Sequence, residues 1–290
     1  VSDAQLGFAL NPGIFNVTIN EQLNYQVTHE KDSLRMTSYD RMSDSLPEAF
    51  IMGCSYTYGM GVDDSVNYPF YMQKNLPQLR IRNFGVPGYG NVQSLMQLER
   101  QLAKGNIPKF VVLGYAGFHN ERNALTPNYR KHLHIGFERA NEQLRDQMIA
   151  SNIPYVKDDI SSFTIYHESW TNLYADWKGR SWFATVNLFQ DFKDGIDERK
   201  AQPEGATFAI LAKMKQVCEA NDISFIIAGL TPDEHTLSGI QFLKAQGFHA
   251  FDVSVNLRSP TYSNLPFDSH PNAKAHRLYA SRILQHISDL

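Results

Sequence analysis

The chain has 290 residues and a formal net charge of −3 at pH 7, which gives no global attraction to nucleic acid or to an anionic membrane. Hydrophobic residues make up 42% of the chain and charged residues 20%, proportions typical of a globular protein with a substantial core. The two cysteines, Cys54 and Cys218, are too few for a disulfide framework. We expect both to be small buried hydrophobic residues, with a single bridge as the alternative.

Residues 1–47 are mostly polar and contain two stretches of alternating hydrophobicity, FNVTI and LNYQVTH. Alternation of this kind predicts short strands or a hairpin, because successive side chains of a strand point to opposite faces. We therefore interpret residues 1–47 as an N-terminal extension and residues 48–290 as one main domain.

From Ala49 onward, continuous apolar runs alternate with helical patterns. The predicted strands are AFIMGC, IRNFGV, PKFVVLGY, ISFIIAGL and FHAFDVSV. The predicted helices between and after them are YPFYMQKNL, NVQSLMQLERQLAKG, GATFAILAKMKQVCEAN, TLSGIQFLKAQG and NAKAHRLYASRILQHISDL. Strands without polar alternation, separated by helices, predict a mostly parallel sheet covered on both faces, a three-layer α/β/α sandwich. The pattern loosens over about 118–200, which we interpret as an insertion after the third strand.

The stretch IMGCSYTYGMGVDD places Ser55 at the end of the first predicted strand of the main domain. A nucleophilic serine needs a base, and that base needs an orienting acid. LPFDSHPNAKAH offers both, as Asp268 and His270, and Pro271 favours an extended conformation at His270 or the start of the last helix. In the alternative interpretation, Asp268 lies near the N-cap of that helix and has no catalytic role.

An oxyanion intermediate also needs fixed hydrogen-bond donors. The glycine-dense turn NFGVPGYGN follows a predicted strand, and glycine lets a backbone N–H approach a substrate closely. A tight strand-to-helix connection is the alternative for this turn. GYAGFHNERN also follows a strand and offers three side-chain donors, His119, Asn120 and Asn123.

The order and spacing of these segments resemble the SGNH hydrolases, also called GDSL-type esterases. The first family block is similar to Gly53-Cys54-Ser55-Tyr56-Thr57-Tyr58-Gly59, with Cys54 in the place of the usual Asp. The second is similar to Asn83-Phe84-Gly85-Val86-Pro87-Gly88, and the fourth to Asp268-Ser269-His270-Pro271-Asn272. The resemblance implies a flavodoxin-like sandwich, a triad of Ser55, His270 and Asp268, and an oxyanion hole formed by the backbone N–H groups of Ser55 and Gly88 with an asparagine side chain.

Two departures from the family pattern concern the acid and the third block. The usual acid stands three residues before the histidine, where this chain has Phe267, and Asp268 stands two residues before it. The third block normally reads Gly-x-Asn-Asp, and this chain has Gly117-Phe118-His119-Asn120. We favour Asn120 as the donor, with His119 and Asn123 as alternatives.

The resemblance implies a serine ester hydrolase that removes an acyl group from a carbohydrate or a small ester. We favour an O-acetyl group on a saccharide, because LGFALNPG and the later Leu34-Arg35 resemble leader regions of SGNH proteins with bacterial surface-polysaccharide functions. Trp170, Trp177 and Trp182 of the insertion are candidate substrate-binding residues. Packing of these aromatic rings within the insertion is the alternative.

Three other functions remain open. An O-acyltransferase acting on a cell-surface polysaccharide would use the same residues, and a catalytically silent carbohydrate-binding module would keep only the fold. A metallohydrolase built on His132, His134, His119 and Asp63 is the weakest alternative, because no second cluster stands at metal-ligand spacing. We expect no cofactor and no metal.

We expect a small-molecule or saccharide ester as the binding partner and no nucleic acid. No run of 18 or more apolar residues is present, so we expect no membrane span in this sequence. The chain begins with Val1 rather than Met, which favours an extracytoplasmic protein, periplasmic or secreted, from which a signal or anchor was removed. A cytoplasmic location is the alternative.

Overall fold

The computed structural model describes residues 1–157 and 163–287, and the last three residues predicted to be helical lie outside this range. The chain forms two compact units. The insertion unit comprises Val1–Ala9, Asn91–Gln93 and Phe118–Lys213. The sheet unit comprises Leu10–Gly90, Ser94–Gly117 and the chain from Met214 onward. Residues 10–47 of the extension thus belong to the same compact unit as the central sheet.

The central element of the sheet unit is a five-stranded parallel sheet. Its strands are β5 (Glu48–Met52), β6 (Arg80–Asn83), β7 (Phe110–Tyr115), β10 (Ser224–Gly229) and β11 (His249–Asp252). Their spatial order is β11-β10-β7-β5-β6. If the five strands are numbered 1 to 5 in chain order and read from the β6 edge, the order is 2-1-3-4-5, which is flavodoxin-like. The direction of the strand order reverses between β5 and β7. The predicted fold class is confirmed.

The strands form because long apolar runs can be buried on both faces only in the interior of a layered sheet. All six residues of β7 are buried. The helices of the sheet unit are α1 (Ser55–Tyr58), α2 (Tyr68–Asn75), α9 (Glu234–Ala245) and α10 (Ala273–Ile287). Two further helices are divided between the units: the first three residues of α3 (Asn91–Leu102) and the first eleven of α8 (Pro203–Glu219) lie in the insertion unit.

Helices α2 and α10 cover one face of the sheet. Tyr68, Met72 and Tyr279 from these helices pack with Ile51 and Val112 from the strands in a single core cluster. The side chains that alternate onto the opposite face are equally buried, among them Phe50, Met52, Val111 and Leu113, all with 0% exposure. Both faces are therefore covered, as the three-layer prediction requires.

The predicted hairpin of the extension is present as β3 (Gly13–Ile19) and β4 (Leu23–His29), paired antiparallel. Its turn contains Asn20 and Glu21, both with positive φ. Tyr25 and Val27 of β4 are buried with Tyr58 of α1. The hairpin therefore packs against the segment that follows the predicted nucleophile.

The insertion unit contains two small antiparallel pairs and a group of helices. Its strands are β1 (Ser2–Asp3), β2 (Gly7–Phe8), β8 (Asn152–Val156) and β9 (Ile165–Ser169). Its own helices are α4 (His119–Ala124), α5 (Pro127–Arg139), α6 (Glu142–Ile149) and α7 (Ala184–Lys200). A separate core holds it together, formed by Leu125, Phe137, Ile153, Tyr155, Trp170 and Leu173.

Candidate active site

Ser55 begins the one-turn helix α1, directly after β5 and a two-residue bend. Gly53 in this bend has a φ of +149°, and a Cβ there would stand 2.3 Å from Thr57 Oγ1. Only glycine fits such a position without displacing the helix. The bend turns the chain so that Ser55, with 5% exposure, lies at the carboxyl end of the sheet.

The structure brings His270 to Ser55 across 215 residues of sequence. His270 Nε2 lies 2.9 Å from Ser55 Oγ. His270 Nδ1 lies 2.7 Å from Asp268 Oδ1, and a carboxylate oxygen can only accept, so Nδ1 carries the proton. In the neutral imidazole Nε2 is then the acceptor, and the hydroxyl of Ser55 donates to it. The hydrogen bonds thus leave Nε2 ready to take the serine proton.

Asp268, two residues before His270, contacts both the backbone and the ring of the histidine through the same carboxylate oxygen. Its Oδ1 accepts from the backbone N–H of His270 at 2.7 Å and from the ring Nδ1 at 2.7 Å. The two side chains are 14% and 20% exposed, so the pair is largely shielded from water. Phe267, at the position where the family usually has its acid, is 37% exposed.

Asn272 anchors the end of the loop that carries His270 and caps the last helix. Asn272 Oδ1 accepts from the backbone N–H groups of Lys274 and Ala275, at 3.0 and 3.2 Å, and so caps α10. Its amide also donates to the carbonyl of Ser263 at 3.0 Å. The last helix therefore begins at Ala273, later than Pro271, and the interpretation of Asp268 as its cap is wrong.

Tyr56 lies beside the histidine ring. The two ring centroids are 5.3 Å apart with an interplanar angle of 68°, an edge-to-face arrangement. The sequence motif gave no signal for this contact, because the family block leaves the position after the serine open. Tyr56 thus packs against the imidazole of His270.

The glycine-rich turn after β6 lies close to α1, the helix that Ser55 begins. A Cβ on Gly85 would stand 2.3 Å from the backbone nitrogen of Tyr58, so only glycine permits this approach. Val86 N–H donates to the carbonyl of Gly53 at 3.1 Å, which joins the turn to the bend before Ser55. Gly88 follows in the same turn with a φ of +88°. Its role as an oxyanion donor stays a prediction.

The three candidates of the third block lie on α4 in the insertion unit and are all buried. Both amide hydrogens of Asn123 are engaged, with Asn91 Oδ1 at 2.9 Å and Thr207 Oγ1 at 2.8 Å. Its Oδ1 accepts from the backbone N–H of Asn91 at 2.6 Å. Asn123 thus holds the start of α3, and its role as an alternative oxyanion donor stays a prediction.

His119 is neutral in this environment. Burial lowers its pKa well below the ordinary value of 6.5, and the nearby charge of Arg122 acts in the same direction. A neutral imidazole can still donate one hydrogen bond. The assignment of an oxyanion donor to Asn120 or to His119 stays a prediction.

The three tryptophans of the insertion differ in exposure. Trp170 is 5% exposed, stacks on Phe137 and donates from Nε1 to Ser151 Oγ at 3.2 Å. This burial favours the packing alternative for Trp170. Trp177 and Trp182 are 42% and 84% exposed, and their role in substrate binding stays a prediction.

Cys54 and Cys218 are free and buried, as predicted. In the residues that the structure describes, no three or more His, Cys, Asp or Glu side chains are grouped so as to hold a metal ion. Within the same residues, no helix has the length and apolar character needed to cross a bilayer.

Comparison with known proteins gives matches only at the level of structure. No protein-family model matches the sequence, and the search of curated proteins gives no match. Solved structures similar to the chain include a member of the lipolytic protein G-D-S-L family from Veillonella parvula, with 11% identity, a TM-score of 0.45, and coverage of 84% of this chain and 99% of the other.

Two esterases are also similar to the chain. The psychrotrophic esterase EstA from a Pseudoalteromonas species has 12% identity and a TM-score of 0.44, over 83% of this chain and 97% of its own. An acetylxylan esterase from Geobacillus stearothermophilus has 11% identity and a TM-score of 0.43, over 86% and 97%. The solved structures to which this chain is similar thus include G-D-S-L family lipolytic proteins and esterases.

Proposed function

We propose that the chain is a serine ester hydrolase of the SGNH type. The observation that carries the proposal is the unbroken hydrogen-bonded series from Ser55 Oγ to His270 Nε2 at 2.9 Å and from His270 Nδ1 to Asp268 Oδ1 at 2.7 Å. A nucleophile, a base and an orienting acid in this arrangement can carry out acyl transfer. A silent binding module would have no need to keep all three groups in register.

In the proposed reaction, Ser55 Oγ attacks the ester carbonyl while its proton passes to His270 Nε2. The imidazolium then gives that proton to the leaving alcohol, and the acyl group stays on Ser55. A water molecule attacks the acyl-enzyme, again with His270 as base, and the acid is released. Asp268 keeps Nδ1 protonated throughout and stabilises the imidazolium.

The negative charge on the carbonyl oxygen would be met by the backbone N–H groups of Ser55 and Gly88 and by the side chain of Asn120. Removal of one such donor lowers the rate by about 10²- to 10³-fold in enzymes of this kind. This part of the proposal rests on the sequence blocks.

We propose an O-acetyl group on a saccharide as the substrate. The proposal rests on the resemblance of LGFALNPG and Leu34-Arg35 to leader regions of SGNH proteins with surface-polysaccharide functions. An extracytoplasmic location belongs to the same proposal, since such polysaccharides lie outside the cytoplasm. Cell fractionation tests the location.

A panel of acetylated mono- and oligosaccharides and of short aryl esters tests the function. We expect acetate release by the wild type and none above background by Ser55→Ala. Ser94→Ala is the matched control, because Ser94 is a buried serine whose Oγ has no hydrogen-bond partner among the described residues. Equal turnover by Ser55→Ala would contradict the proposal. Transfer of the acetyl group to an added sugar in preference to water would favour the acyltransferase.

A further inference from the structure

Arg35 is the largest fully buried side chain of the described residues, and the proposed mechanism does not use it. It lies in the N-terminal extension, in the Leu34-Arg35 pair and outside the four family blocks that supply the proposed catalytic groups. Burying a guanidinium group is costly unless it is paired and hydrogen-bonded. The contacts of Arg35 therefore show what the chain gains from placing it there.

All three nitrogen atoms of the guanidinium group are hydrogen-bonded. Nε donates to Asp64 Oδ1 at 3.0 Å, an ion pair whose side chains are 0% and 3% exposed. Nη1 donates to the carbonyl of Tyr58 at 2.7 Å and to that of Gly59. Nη2 donates to the carbonyl of Val62 at 2.6 Å. Asp64 neutralises the charge of the guanidinium group, and its two terminal nitrogen atoms, Nη1 and Nη2, donate to backbone carbonyls.

These carbonyls belong to the end of α1 and the turn that follows it. The last carbonyls of a helix have no partner within the helix, and a helix of one turn is not stable alone. Asn83 Nδ2 donates to the carbonyl of Thr57 at 3.2 Å. Arg35 and Asn83 together therefore provide hydrogen-bond donors for the carbonyls of Thr57, Tyr58 and Gly59. The backbones of Arg35 and Asn83 are themselves paired by an antiparallel bridge.

The same turn contacts the loop that carries the acid and the base. Asn264 Nδ2 donates to the carbonyl of Gly61 at 3.3 Å, and the backbone N–H of Asn264 donates to the carbonyl of His270 at 3.0 Å. Asn264 thus joins the turn to the loop of His270. A shift of the turn would therefore change the distance between Ser55 and His270. A displacement of about 1 Å can lower a rate on the order of 10²-fold.

We propose that Arg35 is a positioning residue for the reaction of Ser55. Its fork holds the C-terminal end of α1 and the turn to Val62, and so keeps Ser55 Oγ in hydrogen-bonding range of His270. The proposal rests on the proposed function, since it assigns Arg35 a role in the same site. Lysine cannot replace it, because a single ammonium group cannot reach Asp64 and three carbonyls in the geometry of the planar fork.

The test compares Arg35→Lys with Arg82→Lys. Arg82 also joins the extension to the sheet, through Asp32 and Glu48, but makes no bond to the turn after Ser55. The measurements are kcat and KM for p-nitrophenyl acetate and the rate of fluorophosphonate labelling. Hydrogen exchange at the amides of Gly59 and Met60, which donate to the Ser55 carbonyl at 2.9 Å, reports on the turn itself.

For Arg35→Lys we expect kcat and the labelling rate to fall by about tenfold or more, KM to stay within about threefold, and exchange at Gly59 and Met60 to accelerate. For Arg82→Lys we expect all four quantities to stay within about twofold of wild type. A folded Arg35→Lys that is labelled at the wild-type rate would overturn the proposal. So would a loss confined to KM.

If Arg35→Lys does not fold, Asp64→Asn provides the second variant. Its amide oxygen can still accept from Nε, so we expect a folded protein with the same kcat effect in weaker form. If neither variant folds, the proposal is contradicted, because the pair is then required by the fold and not specifically by the site. Failure of the wild type to be labelled would instead contradict the proposed function.

Discussion

Asp268 Oδ1 accepts two hydrogen bonds from His270, one from the backbone N–H and one from the ring Nδ1, each at 2.7 Å. The first closes an Asx turn, and the second fixes the ring tautomer. One carboxylate oxygen thus sets both the conformation of the loop and the protonation of the base. In the proposed triad, this geometry would let an acid two residues before the histidine take the role that SGNH hydrolases usually give to an acid three residues before it.

Asp268→Asn should lower kcat on the order of 10²- to 10⁴-fold without unfolding the protein. The amide can present its NH₂ group to Nδ1, which would move the imidazole proton to Nε2 and leave no acceptor for the proton of Ser55. Steady-state hydrolysis of an aryl acetate measures the effect. Asp252→Asn is the matched control, because Asp252 Oδ1 accepts from the backbone N–H of Ser254 at 2.8 Å in the same kind of turn. Equal losses in the two variants would contradict the assignment.

Gly85→Ala should destabilise the protein by about 1–3 kcal/mol, because its Cβ would overlap the backbone of α1. Gly136→Ala is the control. A Cβ at Gly136, inside α5, would meet nothing within 4 Å, and alanine should stabilise that helix by about 0.5–1 kcal/mol. Urea unfolding measures both free energies. A neutral Gly85→Ala would show that the turn after β6 is free to move away from Ser55.

The free energy of unfolding should fall as the pH drops below about 6.5, in part because of His276. Burial first, then the charges of Arg35 and His270, lowers the pKa of His276 from 6.5 to about 3. Between these values the unfolded chain binds a proton that the folded chain does not, so stability is complete above pH 6.5 and decreases toward pH 3. At pH 5 the loss of unfolding free energy that His276 causes, relative to its full value above pH 6.5, is about 2 kcal/mol.

His276→Asn should remove this part of the pH dependence. The asparagine oxygen can accept from the backbone N–H of Tyr68, which donates to His276 Nδ1 at 3.2 Å. The comparison uses the slope of the unfolding free energy between pH 7 and pH 5, because the absolute stabilities of the two proteins will differ. An unchanged slope in His276→Asn would mean that the pKa of His276 is the same in the folded and unfolded chains, which would contradict the prediction.

Neither cysteine should react with a thiol reagent in the native protein. Cys54 and Cys218 both have 0% exposure, and burial raises the pKa of the Cys218 thiol to about 12. Colorimetric thiol titration should find no reactive groups in buffer and two in denaturant. Rapid labelling of Cys54 in buffer would mean that the bend before Ser55 opens readily.

The sequence was sufficient for the α/β/α sandwich because β5, β7 and β10 are nearly continuous apolar runs and the stretches between the strands have helical periodicity. It also brought Ser55, Asp268 and His270 into one hypothesis, since a serine at a strand end and an Asp–His pair in a late loop are local patterns. Both kinds of signal lie within short windows of the chain.

Arg35 and Asn272 were missed as structural anchors for a different reason. The guanidinium group of Arg35 binds carbonyls of Tyr58, Gly59 and Val62, and a carbonyl is present at every residue, so these partners leave no mark on the sequence. Asn272 belongs to the fourth family block, but its role as the cap of α10 follows only from the position at which the helix begins. Pro271 is the stronger local signal for the start of the helix, but in the structure the helix begins two residues later, at Ala273.

The central claim is that Ser55 is a nucleophile activated by His270. Incubation of the wild type, Ser55→Ala and His270→Ala with a fluorophosphonate, followed by peptide mass spectrometry, tests it most directly. We predict one adduct per chain, on the peptide that contains Ser55, with no adduct in Ser55→Ala and much slower labelling in His270→Ala. An unlabelled wild type, or an adduct on another residue that persists in Ser55→Ala, would contradict the claim.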